Sequence, residues 1–285
     1  MPSPLRVRRH SAPSSFLAAA REWLLEREAE NNVVLGVAEK LAAGDHDFEP
    51  PLYLATVHDA EGRVTGCAFR TPPFKLGLCR MPAEAVPRLV DDVAAVYASL
   101  PAVMGPEPVV DAFAAGWTRL RGGSSRMAMR MRAFELRAVV WPERPAPGRM
   151  RIATAADEEL VVRWVRAFEA DAGLPLSGGP RRAEELTAEG AVALWEDAGE
   201  PVSMAGRMAR TPSGYRIGAV YTPRELRGRG YASHLVAAYS QHLLDGGATA
   251  CFLFTDLANP TSNAIYQQVG YRPTGDLVER VFTSA

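Results

Sequence analysis

Arg227-Gly228-Arg229-Gly230-Tyr231-Ala232 joins an apolar run, Ile217 to Tyr221, to a helical pattern that begins near Tyr231. The first turn of a helix leaves backbone N–H groups without intrahelical acceptors, and the helix dipole adds partial positive charge there. Anions settle at such a terminus. Gly228 and Gly230 keep side chains out of the way of a ligand, while Arg227 and Arg229 bring donors suited to phosphate oxygens. The stretch reads as a phosphate-holding turn.

Two glycine motifs compete for it. A P-loop needs Lys followed by Ser or Thr after its second glycine, and Tyr231-Ala232 supply neither. A dinucleotide fingerprint needs a third Gly or Ala where Ser233 stands, and an acidic residue about 20 positions on. Asp245 falls on a helix end and not on a second strand, and the entry Thr222-Pro223-Arg224-Glu225-Leu226 is too long for that turn.

With Arg227, Gly230 and Ala232 spaced as they are after Val220-Tyr221-Thr222-Pro223, the stretch resembles the signature of the GCN5-related N-acetyltransferases, the GNAT family. Downstream, Asn259-Pro260-Thr261-Ser262-Asn263-Ala264-Ile265-Tyr266-Gln267-Gln268-Val269-Gly270-Tyr271 resembles the family's later helix, with its Asn, its Tyr and a closing Gly-aromatic pair. The two blocks stand in the family's order.

The formal charge of −1 over 285 residues offers no global basic field for nucleic acid. Cys67, Cys79 and Cys251 are far apart, lack metal-ligand spacing, and read as reduced, buried thiols. No apolar run approaches the roughly 20 residues that span a bilayer. Met1 to Ser15 is basic and rich in Ser and Pro without an apolar stretch after it, so we expect a flexible leader and a cytoplasmic protein.

Trp141-Pro142-Glu143-Arg144-Pro145-Ala146-Pro147-Gly148 breaks periodic sequence on both sides and reads as a semi-stiff linker at 142–148. After it we expect a strand at Met150 to Thr154, helices at Asp157 to Ala170 and Arg181 to Ala188, and strands at Ala191 to Glu196, Val202 to Arg210 and Tyr215 to Tyr221. A helix from Tyr231 to Leu244, a strand at Thr249 to Thr255, a helix over Asn259 to Val269 and a strand at Leu277 to Phe282 complete residues 149–285.

Residues 16–141 repeat that order. Helices at Phe16 to Glu30 and Val33 to Ala43 precede strands at Leu52 to His58, Val64 to Arg70 and Leu76 to Arg80. A helix at Ala83 to Leu100, a strand at Ala102 to Met104, a helix at Pro108 to Trp117 and a strand at Arg126 to Val140 follow. Asp111 to Trp117 matches Ala264 to Tyr271, so the half reads as a diverged copy. Its counterpart of the glycine turn, Arg80 to Pro87, has no glycine, and Pro82 and Pro87 remove two N–H donors. That copy is expected to hold no diphosphate. The fold class expected is α+β: two GNAT-like domains, each a mixed, mostly antiparallel sheet flanked by helices.

The resemblance implies acetyl-CoA as cosubstrate, no metal, and transfer of acetyl to a primary amine in a ternary complex. Backbone N–H groups over Gly228, Arg229, Gly230, Tyr231, Ala232 and Ser233 would hold the diphosphate, assisted by Arg227 and Arg229. Backbone at Val220, Tyr221 and Thr222 would pair with the pantetheine arm on a strand splayed from its neighbour, one N–H facing the thioester oxygen. Asn259 and Asn263 are candidates for the pantetheine amides, Asn259 also suiting a helix N-cap. Tyr266 is the candidate proton donor: a phenol of pKa about 10 is protonated at neutral pH. No carboxylate lies on Tyr215 to Tyr221, and Glu196, Asp197 and Glu225 read as solvated charges.

Other residues have structural readings. His234 and His242 are too far apart on one helix to share a metal. Arg126, Arg130 and Arg132 alternate with Met127, Met129 and Met131 as a half-buried strand. Trp23, Trp117, Trp164 and Trp195 read as core. Two other functions stay open: a module that binds acyl-CoA or protein without turnover, and, as in mycothiol synthase, acetylation of an amino-sugar conjugate. The acceptor is a small-molecule or protein amine; no nucleic acid or membrane partner is expected.

Overall fold

The computed structural model describes residues 5–44, 46, 48–173 and 179–283. The chain divides into two compact units. Unit 1 comprises residues 1–133, 256–258 and 275–285; unit 2 comprises 134–255 and 259–274.

Unit 1 holds β1 (Arg6–Arg9), α1 (Pro13–Leu25), α2 (Glu28–Ala43), β2 (Tyr53–His58), β3 (Val64–Arg70), β4 (Leu76–Leu78), α3 (Val86–Ala94), β5 (Ala102–Gly105), α4 (Glu107–Arg121) and most of β6 (Ser124–Leu136). Unit 2 holds the end of β6, then β7 (Arg149–Ile152), α5 (Glu158–Asp171), α6 (Gly179–Ala188), β8 (Val192–Asp197), β9 (Glu200–Arg210), β10 (Gly214–Tyr221), α7 (Tyr231–Asp245), β11 (Ala250–Asp256) and α8 (Pro260–Gln268). The last strand, β12 (Arg272–Thr283), returns to unit 1 from Gly275 onward.

Strand order in unit 1 is β1-β2-β3-β4-β5-β12, and in unit 2 it is β7-β8-β9-β10-β11 followed by the end of β6. The pairs β1–β2, β2–β3, β3–β4, β5–β12, β7–β8, β8–β9 and β9–β10 are antiparallel, and β4–β5 and β10–β11 are parallel. Each unit is thus a mixed, mostly antiparallel sheet with helices, in the repeated order read from the sequence.

The division at 142–148 differs from the compact units, and β12 is the reason. Val278, Glu279, Arg280 and Val281 pair with Gly105, Met104, Val103 and Ala102 of β5. Arg280 Nε donates to Asp111 Oδ1 at 2.6 Å, Lys75 bonds Glu279, and Val278 is buried in the unit 1 core. Strand propensity carries no information about which distant edge a strand joins. The segment 142–148 is part of unit 2 and is bonded to it: Trp195 Nε1 donates to the Pro147 carbonyl at 2.8 Å.

The expected leader is corrected over the described part of 1–15. Arg6 to Arg9 pair antiparallel with Ala55 to His58, and α1 already begins at Pro13. Backbone bonds define this charged edge strand, with Val7 alone packing inward, so apolar periodicity misses it. The helix expected over Ala83 to Leu100 is a short 3₁₀ turn, Ala83–Ala85, followed by α3 ending at Ala94.

Each sheet is covered on both faces. In unit 2 the α7 side packs Phe134, Trp195, Ile217, Tyr231, Leu235, Tyr266 and Tyr271, while the α5 side packs Val161, Val165, Leu194, Met204 and Ala219. Along β8 the alternation is plain: Ala193 and Trp195 face α7, Val192 and Leu194 face α5. The three cysteines are free and buried, Trp117 and Trp195 are core, and Trp23 and Trp164 are half-buried. Residues 124–131 alternate exposed and half-buried, as expected for the Arg/Met strand. No helix among the described residues is long and apolar enough to cross a membrane.

Candidate functional site: a splayed strand and a glycine turn

Strand β10 begins in register with β11, Gly214, Tyr215 and Arg216 facing Ala250, Cys251 and Phe252. No further β10–β11 partners occur among the described residues, although β10 continues to Tyr221 and β11 to Asp256. The strands part. On its other edge β10 keeps β9, Gly218 facing Gly206 and Tyr221 facing Met204, with an irregularity between. At that irregularity Ala219 has φ +49, a left-handed conformation that non-glycine residues rarely adopt.

The bulge changes which face each side chain occupies. Period-2 alternation would keep Ala219 and Tyr221 with Tyr215 and Ile217 on the α7 side. Instead Val220 takes the α7 side, and Ala219 and Tyr221 pack with the α5 cluster, Tyr221 tilted against Trp164 at 6.1 Å. A strained, bulged strand end beside an open edge marks functional geometry more often than a defect.

After β10 the chain makes a 3₁₀ turn, Arg224–Leu226, and then the glycine turn. Gly228 has φ +79 and Gly230 has φ +83, conformations that explain glycine at both positions. Arg227 to Gly230 are exposed, and a Cβ on Gly228 would meet no atom within 4 Å. Gly230 is the N-cap of α7 and makes no side-chain cap bond to its first-turn N–H groups.

Below the turn, Tyr231 is buried and its Oη donates to Asp197 Oδ2 at 2.6 Å, a bond that raises the phenol pKa. The Tyr231 side chain is therefore an anchor for α7, and the Arg229 side chain is also hydrogen-bonded to it. Ala232 and Ser233 follow in the first helical turn, half-buried.

Arg227 is engaged elsewhere than in the open turn. Its Nη2 donates to Asp171 Oδ2 at 2.6 Å and its Nε to the Thr222 carbonyl at 2.9 Å, while Arg224 Nη2 takes Asp171 Oδ1 at 2.5 Å. The paired guanidiniums hold the Asp171 carboxyl below its usual range. Arg227 thus fastens the turn to the end of α5, while Arg229, exposed in the turn, is hydrogen-bonded to the Tyr231 side chain. Asp171 carried no motif, and sequence reading missed it. Ser203 Oγ donates to the Tyr221 carbonyl at 3.0 Å and lies 2.8 Å from Thr222 Oγ1. The strand end is held from its β9 side.

On α8, Asn259 is the N-cap: its Oδ1 accepts from the Ser262 N–H at 3.1 Å, and Asn263 Nδ2 donates to the Asn259 carbonyl at 2.8 Å. Both asparagines build the first turn of α8, so the capping alternative describes Asn259. Tyr266 is buried between Phe134 and Tyr271, ring centroids 6.4 and 6.0 Å away. Burial pushes its pKa up to about 12. Its hydroxyl stays protonated throughout the physiological range.

Two of the three nearby carboxylates are hydrogen-bonded. Glu196 accepts from Arg151 Nε at 3.0 Å, Asp197 accepts from Tyr231, and Glu225 is exposed. Burial pushes the Cys251 thiol up to about 12, which keeps it inert as a nucleophile. No metal-binding group occurs among the described residues.

Unit 1 lacks this geometry at the matching place. Strand β4 pairs with β5 at Leu76 with Val103 and Gly77 with Met104. The Leu78 carbonyl then lies so close to Gly105 that a Cβ there would collide with it. The segment that follows contains Pro82 and leads into α3 with Pro87 in its first turn.

Residues 194–281 match the family model described as FR47-like protein. A search of curated proteins found no match. An acetyltransferase of the GNAT family from Colwellia psychrerythraea is 10% identical, with a TM-score of 0.62 over 98% of this chain and 100% of that one. A GCN5-related N-acetyltransferase from Sphaerobacter thermophilus is 16% identical, with a TM-score of 0.62 over 99% and 98%. A tandem GNAT protein from the clavulanic acid biosynthesis pathway is 14% identical, with a TM-score of 0.51 over 98% of each chain. At such identities the likeness establishes the fold, which spans nearly the whole of each chain.

Proposed function

We propose that this chain, with a GNAT fold along its whole length, is an acetyl-CoA-dependent N-acetyltransferase whose active centre lies in unit 2, and that unit 1 is a copy without a cofactor site. The observation that carries this is the conjunction in unit 2 of the β10–β11 split, the Ala219 bulge and the open glycine turn. Each of these is missing from the β4–β5 end of unit 1.

Acetyl-CoA would bring an acetyl group activated as a thioester. Its diphosphate would bind to the first-turn N–H groups, Gly228 to Ser233, with Arg229 adjacent; Arg227 orients the turn through Asp171. Backbone at Val220, Tyr221 and Thr222, unpaired on the β11 side, would hold the pantetheine arm. A backbone N–H in the split would donate to the thioester oxygen as negative charge develops on it, without reorganisation. Asn259 and Asn263 would position that arm indirectly, by fixing the first turn of α8.

Tyr266 Oη would donate its proton towards the departing sulfur. A pKa near 12 keeps the proton in place until negative charge forms beside it. The acceptor would be a primary amine on a small molecule or a protein, reacting directly in a ternary complex.

One observation favours a second reading, an acyl-CoA-binding module without turnover. No carboxylate lies on β10, and Glu196 and Asp197 are already hydrogen-bonded to Arg151 and Tyr231. Calorimetric titration with acetyl-CoA, followed by steady-state release of CoA across a panel of amines, separates the two. We expect binding and amine-dependent release. Binding without release would leave only the module, and no binding would remove both readings.

A further inference from the structure

The segment 142–148 passes beside the glycine turn, and one histidine joins the two. The His234 ring is buried against Trp195, centroids 5.7 Å apart. The Ala146 N–H lies 3.3 Å from His234 Nε2, and His234 Nδ1 lies 3.0 Å from the Gly230 carbonyl oxygen. An amide N–H can only donate and a carbonyl can only accept, so one tautomer satisfies both: Nε2 accepts and Nδ1–H donates.

The Gly230 carbonyl receives a second bond from the same residue, the His234 backbone N–H at 3.1 Å. This matters because the Gly230 carbonyl and the Tyr231 N–H belong to one planar trans peptide and point in opposite directions. Fastening the carbonyl towards the helix aims the Tyr231 N–H out of the helix end. A Cβ on Gly230 would stand 3.6 Å from both the Ala146 Cβ and His234 Nδ1. Ala146 therefore lines the turn.

We propose that His234 is a positioning residue of the cofactor site: it locks the Gly230–Tyr231 peptide and the 142–148 segment together, so that Ala146 forms one wall of the diphosphate cradle. The connection between the repeated halves of the sequence is then part of the site. This rests on the acetyl-CoA reading above, and the test keeps the two apart.

The ligands are acetyl-CoA and S-acetylpantetheine, which shares the thioester and arm but lacks the diphosphate. His234→Leu removes both side-chain bonds, His234→Asn can restore the bond to Gly230, and Ala146→Pro deletes the strap N–H without altering α7. His234→Leu is expected to weaken acetyl-CoA binding about fivefold to tenfold, the loss of one or two ordinary hydrogen bonds. KM for acetyl-CoA should rise by more than kcat falls, and S-acetylpantetheine binding should stay within twofold. Ala146→Pro should weaken acetyl-CoA in the same direction and add little to His234→Leu, and His234→Asn should recover part of the loss. If His234→Leu does not fold, His234→Asn and Ala146→Pro carry the test. Wild-type acetyl-CoA affinity in Ala146→Pro and the His234 variants, or an equal loss with both ligands, would overturn the proposal. Failure of the wild-type chain to bind acetyl-CoA would overturn the function on which it rests.

Discussion

Replacing Gly228 by alanine separates the cost to the fold from the cost to the ligand. Gly228 sits at φ +79, exposed, with no heavy atom within 4 Å of where a Cβ would be placed. The methyl group therefore strains only the backbone, by about 1–2 kcal/mol for a left-handed L-residue. The reduced entropy of the unfolded chain offsets about 0.4–1 kcal/mol of this. A net loss of about 1 kcal/mol lowers Tm by about 2–4 °C in a protein of roughly this size. If the empty space outside Gly228 is where the diphosphate lies, the methyl displaces it from at least one charge-assisted bond, each about 1.5–3 kcal/mol. Acetyl-CoA affinity should then fall about 10- to 100-fold. Calorimetric titration gives the affinity, and scanning calorimetry gives Tm. S-acetylpantetheine, titrated in parallel, should bind the variant and the wild type alike. A variant that lowers Tm as expected yet binds acetyl-CoA with wild-type affinity would refute the placement of the diphosphate.

Tyr266→Phe should lower kcat at least about 100-fold, within the range of general-acid contributions, with acetyl-CoA affinity unchanged; an unchanged kcat in steady-state assays would remove the proton donor. Ala219→Gly should leave Tm unchanged or raise it slightly, since relief of about 1–2 kcal/mol of left-handed strain is set against about 0.5–1 kcal/mol of glycine entropy. Ala219→Val should lower it, because a branched Cβ fits that conformation worse; a marked fall with glycine would count against a strained bulge. Acidification should destabilise unit 1 through His10, which lies 2.8 Å from Ser15 Oγ and 2.9 Å from Thr56 Oγ1. Burial first, then Arg8 and His58, lower its pKa below 6.5. Above pH 6.5 the ring is neutral folded or unfolded, and stability is complete; as pH falls through 6.5 towards the lowered folded value, the unfolded chain gains the proton first and stability drops. Thermal melts at pH 7.5 and 5.5 should show a smaller acid loss in His10→Asn than in the wild type.

Where an element was defined by apolar periodicity or by a turn residue, the sequence was enough. Tyr231 to Leu244 is an example, and so is the pair of glycines that the left-handed turn requires. Features that rest on long-range pairing or on backbone strain were not legible. Ala219 is an ordinary strand residue in any local reading, and only the loss of register with β9 and β11 reveals it as the point where β10 turns its side chains over. Arg227 looked like a phosphate ligand because its partner, Asp171, lies 56 residues away in sequence. Arg6 to Arg9 hid a strand because an edge strand needs hydrogen bonds more than apolar side chains. Asn259 suits two roles in the sequence, and its bond from the Ser262 N–H shows the capping one.

The return of β12 to unit 1 has a consequence for the order in which the chain can fold during synthesis. Domains commonly form one after another as they leave the ribosome, the N-terminal one first. Here the sheet that starts at Arg6 has its β5 edge covered by residues Ala102 to Gly105 pairing with Val278 to Val281. Until residues 278–281 are made and released, that edge has no β12 to pair with. The sheet that β1 opens therefore keeps a row of unmatched backbone donors and acceptors along β5 while residues 106–277 are translated, so its last strand arrives only after unit 2 has been made.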